Sequence, residues 1–168
     1  LGSIYFLSVT ADMRSGYGLS QLVGGLVFAL GLILVVVAGA ELFTGNNLLI
    51  MAVVSKQITV GHLLRNWVVV FLFNLVGAVS AAGLAYLAEH WAGGGHLVGA
   101  RALSVGVAKV GLSWSVLFFR AILCNVLVCL AVWLTQAART VTDKILAIIF
   151  PVSAFVAAGF EHSVANMF

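Results

Sequence analysis

Charged side chains are nearly missing from this chain: eight Lys or Arg and five Asp or Glu stand among 168 residues, 8% of the total. An ordinary soluble domain carries about 25% charged residues. That class is excluded, and a mean hydropathy of +1.20 marks an integral membrane protein. The net charge of +3 comes from basic residues scattered singly between apolar segments. No basic patch results, and no nucleic-acid partner is expected. Cysteine is scarce too. Cys124 and Cys129 lie in one apolar run, at a spacing that does not bring them together on a helix face. With no second pair to complete a metal site, both read as packing residues, and neither metal nor cofactor is expected. Proline occurs once, at Pro151. His-Glu-x-x-His is absent, and the nearest approach to Gly-x-Ser-x-Gly, Gly111-Leu-Ser-Trp-Ser115, lacks the final glycine, which argues against an intramembrane enzyme. No Asn-Pro-Ala triplet points to a neutral-solute channel.

What is present is apolar and continuous rather than alternating, which argues against a β-barrel and for helices. A hydrocarbon core about 30 Å thick takes roughly 20 helical residues, so several spans fit. Five stretches follow one another: Leu1 to Ala11, Leu19 to Val54, Trp67 to Ala88, Leu97 to Thr135 and Ile145 to Phe168. The second is too long for one straight span and predicts a broken helix. In the third, Gly77, Ala78, Ala81 and Ala82 predict close helix contact. In the fourth, only the part from about Arg120 reads as a clean span, and the part around Lys109 predicts a short surface helix. Trp67, Trp91 and Trp133 near span ends suit interfacial belts.

Inside the second and fifth stretches one skeleton occurs twice, Gly-x-Glu-x-x-x-x-Asn: Gly39-Ala40-Glu41-Leu42-Phe43-Thr44-Gly45-Asn46 and Gly159-Phe160-Glu161-His162-Ser163-Val164-Ala165-Asn166. Paired interruptions in corresponding helices mark the translocation site of many transporters. The expected fold is therefore all-α and polytopic, a single transport domain over residues 1–168, with two three-helix halves in inverted orientation and helices 2 and 5 broken. The first stretch is about half a span and opens without methionine, and the third has no counterpart after Phe168. A six-helix protein trimmed within helix 1 and before helix 6 is the expectation. Loop charge places the turns holding Lys56 with Arg65, and Arg139 with Lys144, on the cytoplasmic side. The opposite turns hold Arg14 and Arg101.

His162 is the one histidine in an apolar span, and ionisable groups there usually face a pathway or a partner. Glu41 and Glu161 each stand beside a break, where a carboxylate can accept freed backbone N–H groups. Asn46 and Asn166 can cap or bridge the same groups. Asn125 is a central amide that needs a partner. Lys109 either snorkels to an interface or lines a vestibule that gathers anions. The Thr44 hydroxyl either faces a pore or closes a local backbone bond.

The run Gly39–Asn46, the run Cys124-Asn-Val-Leu-Val-Cys-Leu-Ala131 and the run Gly159–Met167 together resemble the formate/nitrite transporter family, in order and spacing across nearly the whole chain. The resemblance implies an aquaporin-like protomer in a homopentamer in the inner membrane, each protomer with its own pore. It further implies that Lys109 attracts a small monovalent anion, formate first, that Thr44 and His162 meet it at the centre, and that Asn125 bonds nearby. Phe28, Leu32, Leu42, Phe43 and Phe155 would form the apolar constrictions. A proton given by His162 would let the neutral acid pass. Nitrite and hydrosulfide are the alternative anions.

Overall fold

The computed structural model describes residues 1–13 and 16–168. Arg14, counted in the loop-charge argument, lies outside the described residues. Among these residues there is no strand. The helices are α1 (Gly2–Thr10), α2 (Tyr17–Phe28), α3 (Leu30–Ala38), α4 (Ile50–Val54), α5 (Val60–Leu87), α6 (Leu97–Val110), α7 (Trp114–Ala137) and α8 (Val141–Ala157). Short 3-10 turns cover Asn46–Leu49, His90–Ala92 and Ala165–Met167. Three helical stretches, Tyr17–Ala38, Val60–Leu87 and Trp114–Ala137, are long and apolar enough to cross a membrane. The first joins α2 to α3 through Ala29, whose N–H bonds to Gly25 and whose C=O accepts from Ile33.

Both motifs end a helix in the same way. α3 closes at Gly39 (φ 74°) and the Ala40 N–H returns to the Val35 carbonyl at 2.9 Å. Likewise α8 closes before Gly159 (φ 68°) and the Phe160 N–H returns to Phe155 at 3.0 Å. This is the glycine-closed helix terminus, in which the left-handed residue turns the chain so that its successor bonds five residues back. A side chain at either glycine would meet the left-handed penalty of about 1–2 kcal/mol. In each motif the asparagine N–H then bonds four residues back, to Leu42 and His162 respectively, and a 3-10 turn follows. The shared skeleton thus encodes a shared break.

α8 is the central element, packed against α2 and α7. The core joins Ala29, Leu32, Cys124, Val128, Ala131, Ile148, Val152 and Phe155. The α2 and α8 backbones nearly touch: a Cβ on Gly25 would lie 2.8 Å from the Ser153 Cα. The start of α8 is set locally by a capping box, in which Asp143 N–H donates to the Thr140 hydroxyl and the Asp143 carboxylate accepts from the Thr140 N–H.

Two expectations need correction. The fourth stretch divides at a turn before Trp114 rather than near Arg120, because Ser113 is extended and starts α7 there. Among the described residues the small face of α5 makes no tight helix contact, and a methyl group on Gly77 would meet open space. α5 packs on α4 and on the 3-10 turns of the breaks. Their irregular backbone leaves space, so Gly77, Ala78 and Ala81 line an open cavity.

Candidate anion site between the two breaks

His162 and Thr44 are 118 residues apart in sequence, yet the two breaks bring the imidazole Nε2 within 3.2 Å of the threonine Oγ1. Both side chains are buried. The Ala165 N–H donates to His162 Nδ1 at 3.1 Å. A backbone N–H can only donate, so Nδ1 carries no proton and the neutral ring holds its proton on Nε2. The Thr44 oxygen is therefore the acceptor in the central contact, and its own proton is free to point elsewhere. Two donors, an imidazole N–H and a hydroxyl, meet at one point.

His162 lines two cavities. One, about 270 Å³, is bounded on its polar side by Thr44, Asn47, Asn125 and Glu161. The other, about 300 Å³, is lined by Phe28, Leu32, Leu42, Asn74 and Phe155 among others. The Phe155 and Phe28 rings lie 5.8 and 6.5 Å from the imidazole and pack edge to face at 5.9 Å from each other. Phe43 lies on the first cavity instead, its ring against Phe71 and Trp67. The residues expected to constrict therefore divide between the two sides. Asn125 contributes a buried Oδ1 without a hydrogen-bond partner, and its Nδ2 makes only a 3.6 Å contact with Cys129 Sγ. An unpaired buried amide costs about 1–3 kcal/mol. Both cysteines are free.

The glutamates do not act as expected on freed backbone N–H groups. Each accepts from the side-chain amide of the asparagine five residues on: Asn46 bonds Glu41, and Asn166 bonds Glu161 at 3.0 Å. The five-residue spacing spans the break, so carboxylate and amide close it as a staple. Lys109 is 34% exposed, and its ammonium pairs with Glu161, a lining residue of the first cavity, holding the charge of a carboxylate whose side chain is only 9% exposed.

Supports that sequence reasoning missed come chiefly from α5. Asn74 accepts from the Phe43 N–H at 2.9 Å and donates to the Glu41 carbonyl at 3.1 Å. Asn66 accepts from Asn46, and the Trp67 indole, read only as an interfacial ring, donates to the Asn46 carbonyl at 3.0 Å. Gln21 of α2 reaches the Val156 carbonyl beside the second break. The signal for Asn74 was available: an amide inside an apolar span must find a partner, the argument that singled out Asn125.

The family model described as formate/nitrite transporter matches residues 1–168. The chain belongs to the formate/nitrite transporter family. Within that family it is 43% identical to the formate channel FocA of Haemophilus influenzae, over 98% of this chain and 58% of that protein. It is 45% identical to a probable formate transporter of Methanothermobacter thermautotrophicus, over 95% of this chain and 65% of that protein. A solved structure described as a pentameric formate channel with formate bound superposes with a TM-score of 0.93 at 40% identity, covering 99% of this chain and 66% of the other. The chain thus spans roughly three fifths of these curated relatives' length. Members named as channels and transporters, not enzymes, surround it, and it is a multi-pass membrane protein.

Proposed function

We propose that this chain is the greater part of a single transport domain that passes small monovalent anions, formate first, across the cell's inner membrane. On this reading the protomers form a homopentamer with one pore each, and the two broken helices are related by an inverted repeat. The observation that carries it is the Thr44–His162 contact, where the cavity holding Asn47, Asn125 and Glu161 and the cavity holding Phe28, Leu32, Leu42 and Phe155 share one imidazole. A bare charge is costly in a dry constriction. An anion arriving from the side of Asn47 and Asn125 would displace Thr44 as acceptor of the Nε2 proton, and the Thr44 hydroxyl would turn to donate to it. Uptake of a proton at Nδ1 from the aqueous side, with the Ala165 N–H let go, would make the ring an imidazolium; transfer of its Nε2 proton would then leave a neutral ring and a neutral acid that can pass Phe28, Leu32, Leu42 and Phe155. One proton must return to the ring from the water-filled side for each that leaves with the acid. Lys109 would gather anions at the entrance, and Asn125 supplies a hydrogen-bonding amide in the wall.

The test is flux through the full-length protein in liposomes against formate, nitrite, hydrosulfide and a neutral solute, with internal pH recorded. Formate flux with co-transported protons, lost in His162→Gln, is the expected result. Undiminished proton coupling in that variant removes the role given to His162. Flux of the neutral solute alone removes the anion reading.

A further inference from the structure

We infer that Asn74 is a positioning residue that fixes the first constriction by holding the backbone on both sides of Leu42, an inference that rests on the anion-pore reading for its functional consequence. The geometry is specific. The Asn74 amide donates to the carbonyl of Glu41 and accepts from the N–H of Phe43, so one side chain makes the two hydrogen bonds that a neighbouring β-strand would make to the residue between them. That residue is Leu42, whose side chain lines the second cavity with Phe28, Leu32 and Phe155. Next to it Phe43 and Thr44 line the other cavity. The backbone here has left α3 at Gly39 and does not form its next turn until the Asn46 N–H bonds back to Leu42. Between those points the Glu41 carbonyl and Phe43 N–H belong to no helix, and the Asn74 amide is what satisfies them.

The supports of the two breaks differ in kind. The second is held by charge, through Lys109 and Glu161. The first is held by neutral amides from α5: Asn74 on the backbone around Leu42, and Asn66 on the Asn46 side chain that staples Glu41. A cation–carboxylate pair tolerates rotation, whereas a two-bond amide sets both distance and direction. The orientation of Leu42 relative to the Phe28 and Phe155 rings therefore depends on a residue of α5, Asn74, which lines the same cavity. Loosening it widens the constriction and lets longer carboxylates through, while His162 and Thr44 remain in place.

The experiment uses full-length protein carrying Asn74→Ala, Asn74→Asp or, as a control on the same helix, Gly83→Ala, where a methyl group meets open space. The first readout is hydrogen exchange of the segment 40–46 against the segment 160–166, in detergent. Asn74→Ala is expected to speed exchange at Phe43 by roughly tenfold, the effect of losing a part-buried hydrogen bond, and to leave 160–166 unchanged. Asn74→Asp keeps the acceptor for the Phe43 N–H and is expected to retain most of that protection while losing the hold on the Glu41 carbonyl. The second readout is the ratio of formate to lactate permeability, expected to fall in both variants and to stay at the wild-type value in Gly83→Ala. Unchanged exchange at Phe43 in Asn74→Ala overturns the positioning role, as does an unchanged permeability ratio in a wild type that conducts formate. If the wild type passes no monovalent anion, the anion-pore reading fails and the exchange measurement still decides the clamp.

Discussion

Substituting His162 by two amides of different length separates its two hydrogen bonds. The ring accepts from the Ala165 N–H through Nδ1 and donates to Thr44 through Nε2. The Oδ1 of asparagine falls near the place of Nδ1, so His162→Asn keeps an acceptor for Ala165 and withdraws from Thr44. The longer glutamine carries its amide to the place of Nε2, so His162→Gln keeps a donor for Thr44 and leaves the Ala165 N–H without its acceptor. An unsatisfied buried N–H costs about 1–3 kcal/mol. His162→Gln is therefore the less stable of the two by about that amount, although it is the better mimic inside the pore. Neither amide titrates, so both lose proton coupling, and His162→Gln retains more of any uncoupled anion leak. Thermal unfolding in detergent, followed by the reaction of buried Cys124 with a thiol-reactive dye, reads stability. Proteoliposome uptake with an internal pH dye reads coupling. The reasoning fails if His162→Asn is the less stable variant, because Nδ1 would then not be the anchored nitrogen.

Three other outcomes follow from the same geometry. Gly39→Ala meets open space, so its cost is the left-handed backbone alone, about 1 kcal/mol; a similar drop is expected for Gly159→Ala, and an unchanged unfolding temperature in both would contradict the glycine-closed breaks. Lys109→Met strands the Glu161 carboxylate and should destabilise the protein more than Lys109→Met with Glu161→Gln. The cost should fall below the roughly 3–5 kcal/mol of a fully buried pair, since Lys109 remains 34% exposed. A double-mutant cycle by thermal unfolding checks the order. At the α8 cap, the Thr140 hydroxyl first, and then the N–H groups of Thr140 and Arg139, hold the Asp143 carboxyl below its ordinary value. A carboxyl lowered in the folded state contributes fully above its unfolded value and loses that contribution as pH falls through the folded one. Hydrogen exchange at the first turn of α8 should therefore stay slow at neutral pH and quicken under strong acid, a response that Asp143→Ala removes.

Much of this was legible in the chain itself. The scarcity of charge excluded a soluble domain, and the repeated Gly-x-Glu-x-x-x-x-Asn located both breaks, because glycine closure and the turn at asparagine are local events. The roles of Glu41 and Lys109 were not legible. A carboxylate in an apolar stretch announces that it needs a partner without saying whether that partner is a backbone N–H, an amide five residues on, or a lysine 52 residues earlier. Asn74 stood in plain view as a polar residue of a span, and its function depended on which backbone lay opposite.

The sequence by itself determined the membrane environment, the helical class, the two breaks and the short list of residues able to do chemistry, since these follow from composition, periodicity and contacts within a few residues, while three motif runs in register carried the family resemblance. Tertiary structure alone decided that Thr44 meets His162, that the ring presents its Nε2 proton there, that Lys109 spends its charge on Glu161, and that α5 grips the first break at Leu42. Each of those contacts joins segments that only folding brings together. In an apolar medium a buried polar group must find its partner wherever the packing supplies one.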